Sequence, residues 1–194
     1  MSDNNTTSIV LAGVGGQGIL LASEIVAQAA MIAGQDVKTN EVHGMAQRGG
    51  SVLAQIRYGK HVNSPLVAKG QAKVLGALEK IEALRYADYL AEDGLVVVNS
   101  QMIVPVIVAM GVAQYPEDAE QKLRDTFPRL VYIDAGEIAA KLGNIRTANV
   151  IVLGAISNGL DLPSDTWIDA IKKAVKPKFV DINLKAFQIG RDIK

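Results

Sequence analysis

No cysteine occurs among the 194 residues, so disulfides, thiol nucleophiles, cysteine zinc sites and cysteine-ligated iron–sulfur clusters are excluded together. Any redox centre has to sit on another chain. An excess of one charge is missing as well: 20 Lys and Arg balance 20 Asp and Glu, which leaves no field to gather nucleic acid or an anionic membrane surface. Neither is expected as a partner. The longest apolar stretch, 103–113, is too short to span a bilayer and is broken by Pro105. The first residues carry neither the basic start nor the apolar run of a secretion signal, and a cytoplasmic location is the expectation. With 49% hydrophobic residues the chain can still bury an ordinary core. Residues 1–194 read as a single domain, with 1–7 expected to be flexible.

Catalytic equipment is equally sparse. His43 and His61 share no metal spacing with nearby acids, and His61 reads as part of an ordinary surface turn. There is no G-x-S-x-G elbow and no acid cluster for magnesium. Gln17 and Gly18 stand where a phosphate-binding loop needs a Lys and a Ser or Thr. No catalytic residue and no metal site is expected on this chain alone.

What is present is an alternation of strand and helix. Residues 8–12, 36–40, 51–58, 73–77, 94–99 and 130–134 carry strand patterns; 17–33, 81–90, 135–142, 148–158, 164–175 and 179–192 carry helical ones. Gly34 suits a helix C-terminal cap, Pro116 a helix start and Ser164 an N-cap. Trp167, Ile168 and Ile171 make the apolar side of their helix. Asp118 with Lys122 and Glu120 with Arg124 are one-turn pairs on a solvated face. The strand 51–58 has one more polar face. Short connections and right-handed crossovers predict an α/β fold: a doubly wound, mostly parallel, Rossmann-like sheet with helices on both faces and a helical C-terminal part.

Two glycine segments stand out. Gly13, Gly15 and Gly18, with Gly16 and Gln17 between them, satisfy G-x-G-x-x-G after a strand and at a helix start, where free N–H groups favour a phosphate or carboxylate. A dinucleotide reading also needs an acid at the end of the second strand, and Glu41 is the residue near that position. A glycine turn serving tight packing explains the same motif. The second segment, residues 41–51, gathers Glu41, His43, Gln47 and Arg48 around Gly44, Gly49 and Gly50 and ends at Ser51. Each is ordinary singly; clustered, they suit recognition of one carboxylate or phosphate. The loop belongs at the C-terminal edge of the sheet, where such folds bind ligands. Part of an active site is what these residues describe.

Together the run G-V-G-G-Q-G-I and the loop E-V-H-G-M-A-Q-R-G-G-S resemble the gamma-type subunit or domain of the 2-oxoacid:ferredoxin oxidoreductases, and most closely the indolepyruvate ferredoxin oxidoreductase beta subunits. Ser64-Pro65-Leu66, Asn99, Tyr115-Pro116, Arg146-Thr147-Ala148-Asn149 and 183–190 extend the likeness over most of the chain. The resemblance implies oxidative decarboxylation of a 2-oxo acid. Thiamine diphosphate, magnesium and iron–sulfur clusters would lie on a larger partner subunit, with ferredoxin served indirectly and coenzyme A as co-substrate. This chain would bind none of those cofactors alone. It would complete the partner's cleft, with Gly13, Gly15, Gly16, Gln17, Gly18, Gln47, Arg48, Gly49, Gly50 and Ser51 on the anion or substrate side. Glu41 and His43 would support the loop or face the partner. A homodimer stays open for the isolated chain, and a free-standing dinucleotide-binding module is the alternative reading.

Overall fold

Strand β1 (Thr6–Val14) runs through the centre of the molecule, buried on both faces from Ser8 to Val14. In this computed structural model the described residues are 6–43, 49–104, 108, 110–112 and 114–194. After β1 come α1 (Ile19–Ile32), β2 (Asp36–His43), β3 (Ser51–Gly59), β4 (Ala72–Ala77), α2 (Lys80–Arg85), β5 (Leu90–Asn99), α3 (Ala119–Thr126) and β6 (Leu130–Ile133). Four further helices close the order: α4 (Ala135–Leu142), α5 (Ala148–Ser157), α6 (Ser164–Ala174) and α7 (Val180–Asp192).

The sheet has the order β2-β3-β1-β4-β5-β6. Strands β4, β5 and β6 continue parallel from β1, whereas β3 is antiparallel both to β1 and to β2. The mostly parallel sheet expected from the sequence is therefore mixed on one side. One face carries Ile9, Leu11, Ile56, Val74 and Val97 and packs on α1, α5, α6 and α7 through Ile25, Ile151, Leu153, Trp167 and Phe187. The other carries Val10, Leu53, Leu75, Val96 and Val98 under Ala83 of α2, Leu123 of α3 and Phe127 directly after α3. Helices cover both faces. No helix among the described residues is long and apolar enough to cross a membrane.

Several local expectations are corrected. Strand β1 starts at Thr6, inside the segment expected to be flexible, because Thr6 and Thr7 pair with Gly59 and Tyr58; residues 1–5 lie outside the described residues. The more polar side of β3 is present but covered: Gln55 is buried, its side-chain Oε1 accepting the Val67 N–H at 2.6 Å, and Arg57 donates to the Ser64 carbonyl at 3.1 Å as the 60–71 connection crosses it. The helix expected over 81–90 stops at Arg85, and β5 begins at Leu90 instead of Gly94 because Leu90 pairs with Ala72. Helix α3 starts at Ala119, after a turn at Pro116. Ser164 is the first helical residue and not the cap, its hydroxyl taken by Arg191. Ile168 is partly exposed, while Trp167 and Ile171 are buried. Gly34 does follow α1 with a φ of +79°, and the Asp118–Lys122 and Glu120–Arg124 pairs form at 2.9 and 2.7 Å.

Candidate functional site

The first glycine turn is organised by Gln17. Its N–H closes the turn on the Val14 carbonyl at 3.1 Å. Its side-chain oxygen accepts the Val14 N–H at 2.7 Å. Its Nε2 donates to the Leu78 carbonyl at 2.7 Å and to Gln101 Oε1 at 3.0 Å. One amide thus ties the end of β1 to the chain beyond β4 and β5. Asn99 continues the lacing: its Nδ2 donates to Leu78 O at 3.2 Å and its Oδ1 accepts the Ala135 N–H at 3.0 Å, at the start of α4. Gly18 adopts a φ of +83°, and a Cβ there would lie 2.5 Å from Asn149 Nδ2. Its carbonyl accepts from that same Nδ2 at 3.2 Å.

These contacts shape a cleft of about 690 Å³ along the C-terminal edge of the parallel strands. Gly15, Gly16, Gln17 and Gly18 form one wall, and Asn99, Gln101, Gly136, Arg146 and Asn149 stand among the others. Helices α1, α4 and α5 all begin at this cleft, with Gly18, Gly136 and Ala148 in its lining. The N-terminal end of α1, which has no side-chain cap, and the Arg146 guanidinium give it a positive potential. Among the described lining residues there is no carboxylate. Such a site can hold a phosphate or carboxylate; among its described lining residues no nucleophile is paired with a base.

Behind the turn lies a second polar cluster. Gly15 N–H donates to the Gly50 carbonyl at 2.9 Å. Ser51 Oγ donates to Glu82 Oε2 and lies 3.0 Å from the Tyr86 hydroxyl. Glu82 also accepts from Arg85 Nε at 3.0 Å. Burial raises the Glu82 pKa above the ordinary carboxylate value of 4.5, against the opposing Ser51 hydrogen bond and the Arg85 charge, and the nearby Glu79 adds to the rise. Glu79 caps α2 by accepting the Ile81 and Glu82 N–H groups at 2.8 and 3.2 Å, and it accepts the Tyr115 hydroxyl at 2.7 Å. Burial and that carboxylate push the Tyr115 pKa up.

The residues singled out in the sequence divide. Gly15, Gly16, Gln17 and Gly18 line the cleft. Gly13 is a packing glycine inside β1: a Cβ would lie 2.7 Å from Ile19 Cδ1 and 2.8 Å from Gln17 Oε1. Gly50 braces the turn and Ser51 turns toward Glu82. Gly49 has a φ of +78° with open space around it. Glu41 is exposed on β2, with β3 between it and β1, so it does not meet the glycine turn. Gln47, Arg48 and the side chain of His43 lie outside the described residues. Gln101, Glu79 and Glu82 were not singled out in the sequence. An acid in or beside a short helix normally reads as solvated, and the packing of α2 against β1, β4, β5 and α3 is a tertiary fact that the sequence does not announce.

Comparison with known proteins gives consistent matches. A family model described as pyruvate ferredoxin/flavodoxin oxidoreductase matches residues 8–193. Over 187 residues the chain is 46% identical to the indolepyruvate oxidoreductase subunit IorB of Archaeoglobus fulgidus, covering 94% of this chain and 92% of that protein. With the IorB subunit of Thermococcus kodakarensis the identity is 43% over 188 residues, covering 94% and 93%. In fold it is similar to the gamma subunit of a keto/oxoacid ferredoxin oxidoreductase from Geobacter sulfurreducens, with a TM-score of 0.70, 24% identity and 96% of each chain covered. It is similar too to the 2-oxoglutarate:ferredoxin oxidoreductase of Magnetococcus marinus, solved with 2-oxoglutarate, coenzyme A and succinyl-CoA bound. There the TM-score is 0.72 at 19% identity, and the match covers 98% of this chain and 31% of the longer one.

Proposed function

The chain belongs to the pyruvate ferredoxin/flavodoxin oxidoreductase family, and from that membership we propose that it is the small, cluster-free subunit of an indolepyruvate-type 2-oxoacid oxidoreductase. Its cleft completes the active site of a larger partner in the oxidative decarboxylation of an aryl 2-oxo acid to its acyl-CoA. The observation that carries this reading is the cleft itself: a positive cradle whose described residues include no nucleophile, acid–base pair or cluster ligand, in a chain alike to the IorB subunits along nearly its whole length.

A second feature supports a partner. Met102, Val104, Met110 and Val112 are 51, 45, 72 and 76% exposed. Met102 and Val104 flank Gln101 and Ile103 of the cleft lining, and Met110 and Val112 belong to the same connection between β5 and α3. Apolar surface in that position suits contact with another polypeptide. Thiamine diphosphate with magnesium and iron–sulfur clusters on that partner would supply the decarboxylation and electron-transfer chemistry when bound. On this chain, Arg146 and the turn at Gly15 and Gly16 hold an anionic group of substrate or coenzyme A, and Gln47 and Arg48 are assigned to the same anion on the ground of the sequence alone. Glu41 and His43 support that loop or face the partner.

The dinucleotide alternative is disfavoured by topology, because β3 separates Glu41 from the glycine turn. A purified chain mixed with thiamine diphosphate, magnesium, indolepyruvate, coenzyme A and an electron acceptor should be inert, and active once the larger subunit is added. Turnover by the single chain overturns the proposal. NAD at a hundred times its dissociation constant would stabilise a true dinucleotide module by about 2.7 kcal/mol; no melting shift is expected here.

A further inference from the structure

The wall of the cleft is braced from behind by a carboxylate that does not line it. Ser51 Oγ donates to Glu82 Oε2, and the Gly50 carbonyl, one residue earlier, accepts Gly15 N–H at 2.9 Å. Gly15 and Gly16 are cleft wall. Displacing Ser51 displaces Gly50, and Gly50 carries the turn with it. Resting on the function proposed above, we propose that Glu82 is a positioning residue for the anion cleft: it fixes Ser51 and, through the Gly50–Gly15 hydrogen bond, holds the Gly15–Gly16 turn where the anion docks.

The chemistry of the brace favours a carboxylate over a neutral acceptor. Glu82 has 6% of its side chain exposed, while its ion-pair partner Arg85 has 53% exposed. A half-solvated arginine is a poor reason to bury an acid, because the desolvation cost is not recovered from such a partner. A hydroxyl bound to an ionised carboxylate, in contrast, makes a shorter and stronger hydrogen bond than one bound to an amide. Among the described residues, the groups that face Glu82 are Ser51 from β3, Glu79 from the start of α2, Arg85 from its last turn and, through Ser51, Tyr86. Glu79 is committed to the α2 cap and to Tyr115, which leaves Glu82 as the acceptor for Ser51.

Stability and function then respond in opposite directions. The folded state raises the Glu82 pKa, so its contribution is fully present below the ordinary value and is lost as the pH rises through the folded one. Glu82→Gln should hold or raise the melting temperature at neutral pH, since a buried charge is removed. The same change loosens the turn. A residue with a purely structural role has no reason to leave the melt intact and weaken binding.

The test uses the chain assembled with its larger subunit. Steady-state KM values for coenzyme A and for indolepyruvate, kcat and melting temperature are measured from about pH 5 to about pH 8 for the wild type, Glu82→Gln, Ser51→Ala, Ser51→Thr and Arg146→Gln. Glu82→Gln and Ser51→Ala should raise one KM about fivefold with kcat nearly unchanged, and Ser51→Thr, which keeps the hydroxyl, should restore it. Which KM rises identifies whose anion the cleft holds. In the wild type that KM should climb toward the acid end as Glu82 protonates, and in Glu82→Gln it should be flat. If Arg146→Gln raises a KM and the Glu82 and Ser51 variants do not, the positioning role is wrong and the cleft assignment stands. If none of the variants moves either KM, both fall. A Glu82→Gln chain that melts lower at neutral pH with its KM values intact also overturns the proposal.

Discussion

Gly154 of α5 and Gly190 of α7 meet backbone to backbone: a Cβ built on Gly154 lies 2.9 Å from the Gly190 Cα, and one built on Gly190 lies 3.0 Å from the Gly154 Cα. The same atoms would overlap the Phe187 and Ile151 carbonyl oxygens. No rotamer change relieves a clash with main chain. Gly190→Ala therefore has to push α7 off α5 and disturb the stack of Phe187 on Trp167, whose ring centroids are 5.6 Å apart. Overpacking of this kind costs about 3 kcal/mol, which for a chain of this size lowers Tm by roughly 6–12 °C. Gly136→Ala is the control, because a Cβ there meets nothing nearer than 3.5 Å. Thermal melts of the two variants should differ by most of that amount.

Gln17→Ala removes the hydrogen bonds that lace β1 to Leu78 and Gln101. Leu78 O keeps the Asn99 amide as a donor, so the principal loss is the acceptor for the Val14 N–H in a buried residue. An orphaned buried donor costs about 1–3 kcal/mol. Denaturant unfolding should show a loss in that range with an unchanged m-value.

Arg48 is a proposal that rests on the sequence. Arg48→Ala should leave Tm nearly unchanged and lower the turnover of the assembled enzyme about tenfold, the worth of one charge-assisted contact. Arg48→Lys should recover part of it, since an ammonium cannot reproduce the planar fork. Melting temperature, assembly and specific activity on the same preparations separate the outcomes. Full activity in the alanine variant makes the loop structural; failed assembly moves Arg48 to the interface.

Acid stability should depend on Asp36. The Val62 N–H, donating at 2.8 Å, and then the Lys38 ammonium at 2.9 Å hold its carboxyl below the ordinary value of 3.8. A depressed carboxylate stabilises the fold above its unfolded value, and that contribution is lost as the pH falls through the folded one. The Tm gap between wild type and Asp36→Asn should be constant near neutrality and close below pH 3.8.

Strand β1, the glycine turn and the C-terminal helices were legible because each rests on local periodicity or on a residue with special backbone freedom. The position of β3 was not. Alternating Val52, Ala54, Ile56 and Tyr58 read the same whether the strand joins the edge or enters beside β1, and the pairing of Val14 with Ser51 is a long-range fact. The cleft was half legible. Gly15 to Gly18 announce their wall through glycine spacing, but Gln101 and Arg146 come to it from distant connections. Asn99 and Arg146–Asn149 were noticed through family likeness alone. Glu82 resembles any helical surface acid until Ser51 is placed over it.

Because β3 lies between β1 and β2, the chain from His43 to Val52 joins two antiparallel neighbours whose ends are register partners. The connection is anchored at both feet by a ladder that continues into β1 through the pairing of Val14 with Ser51. Its two feet therefore keep their register when the sequence between them changes. Gly50 is the exception within that connection, because its carbonyl accepts the Gly15 N–H and ties it to the glycine turn.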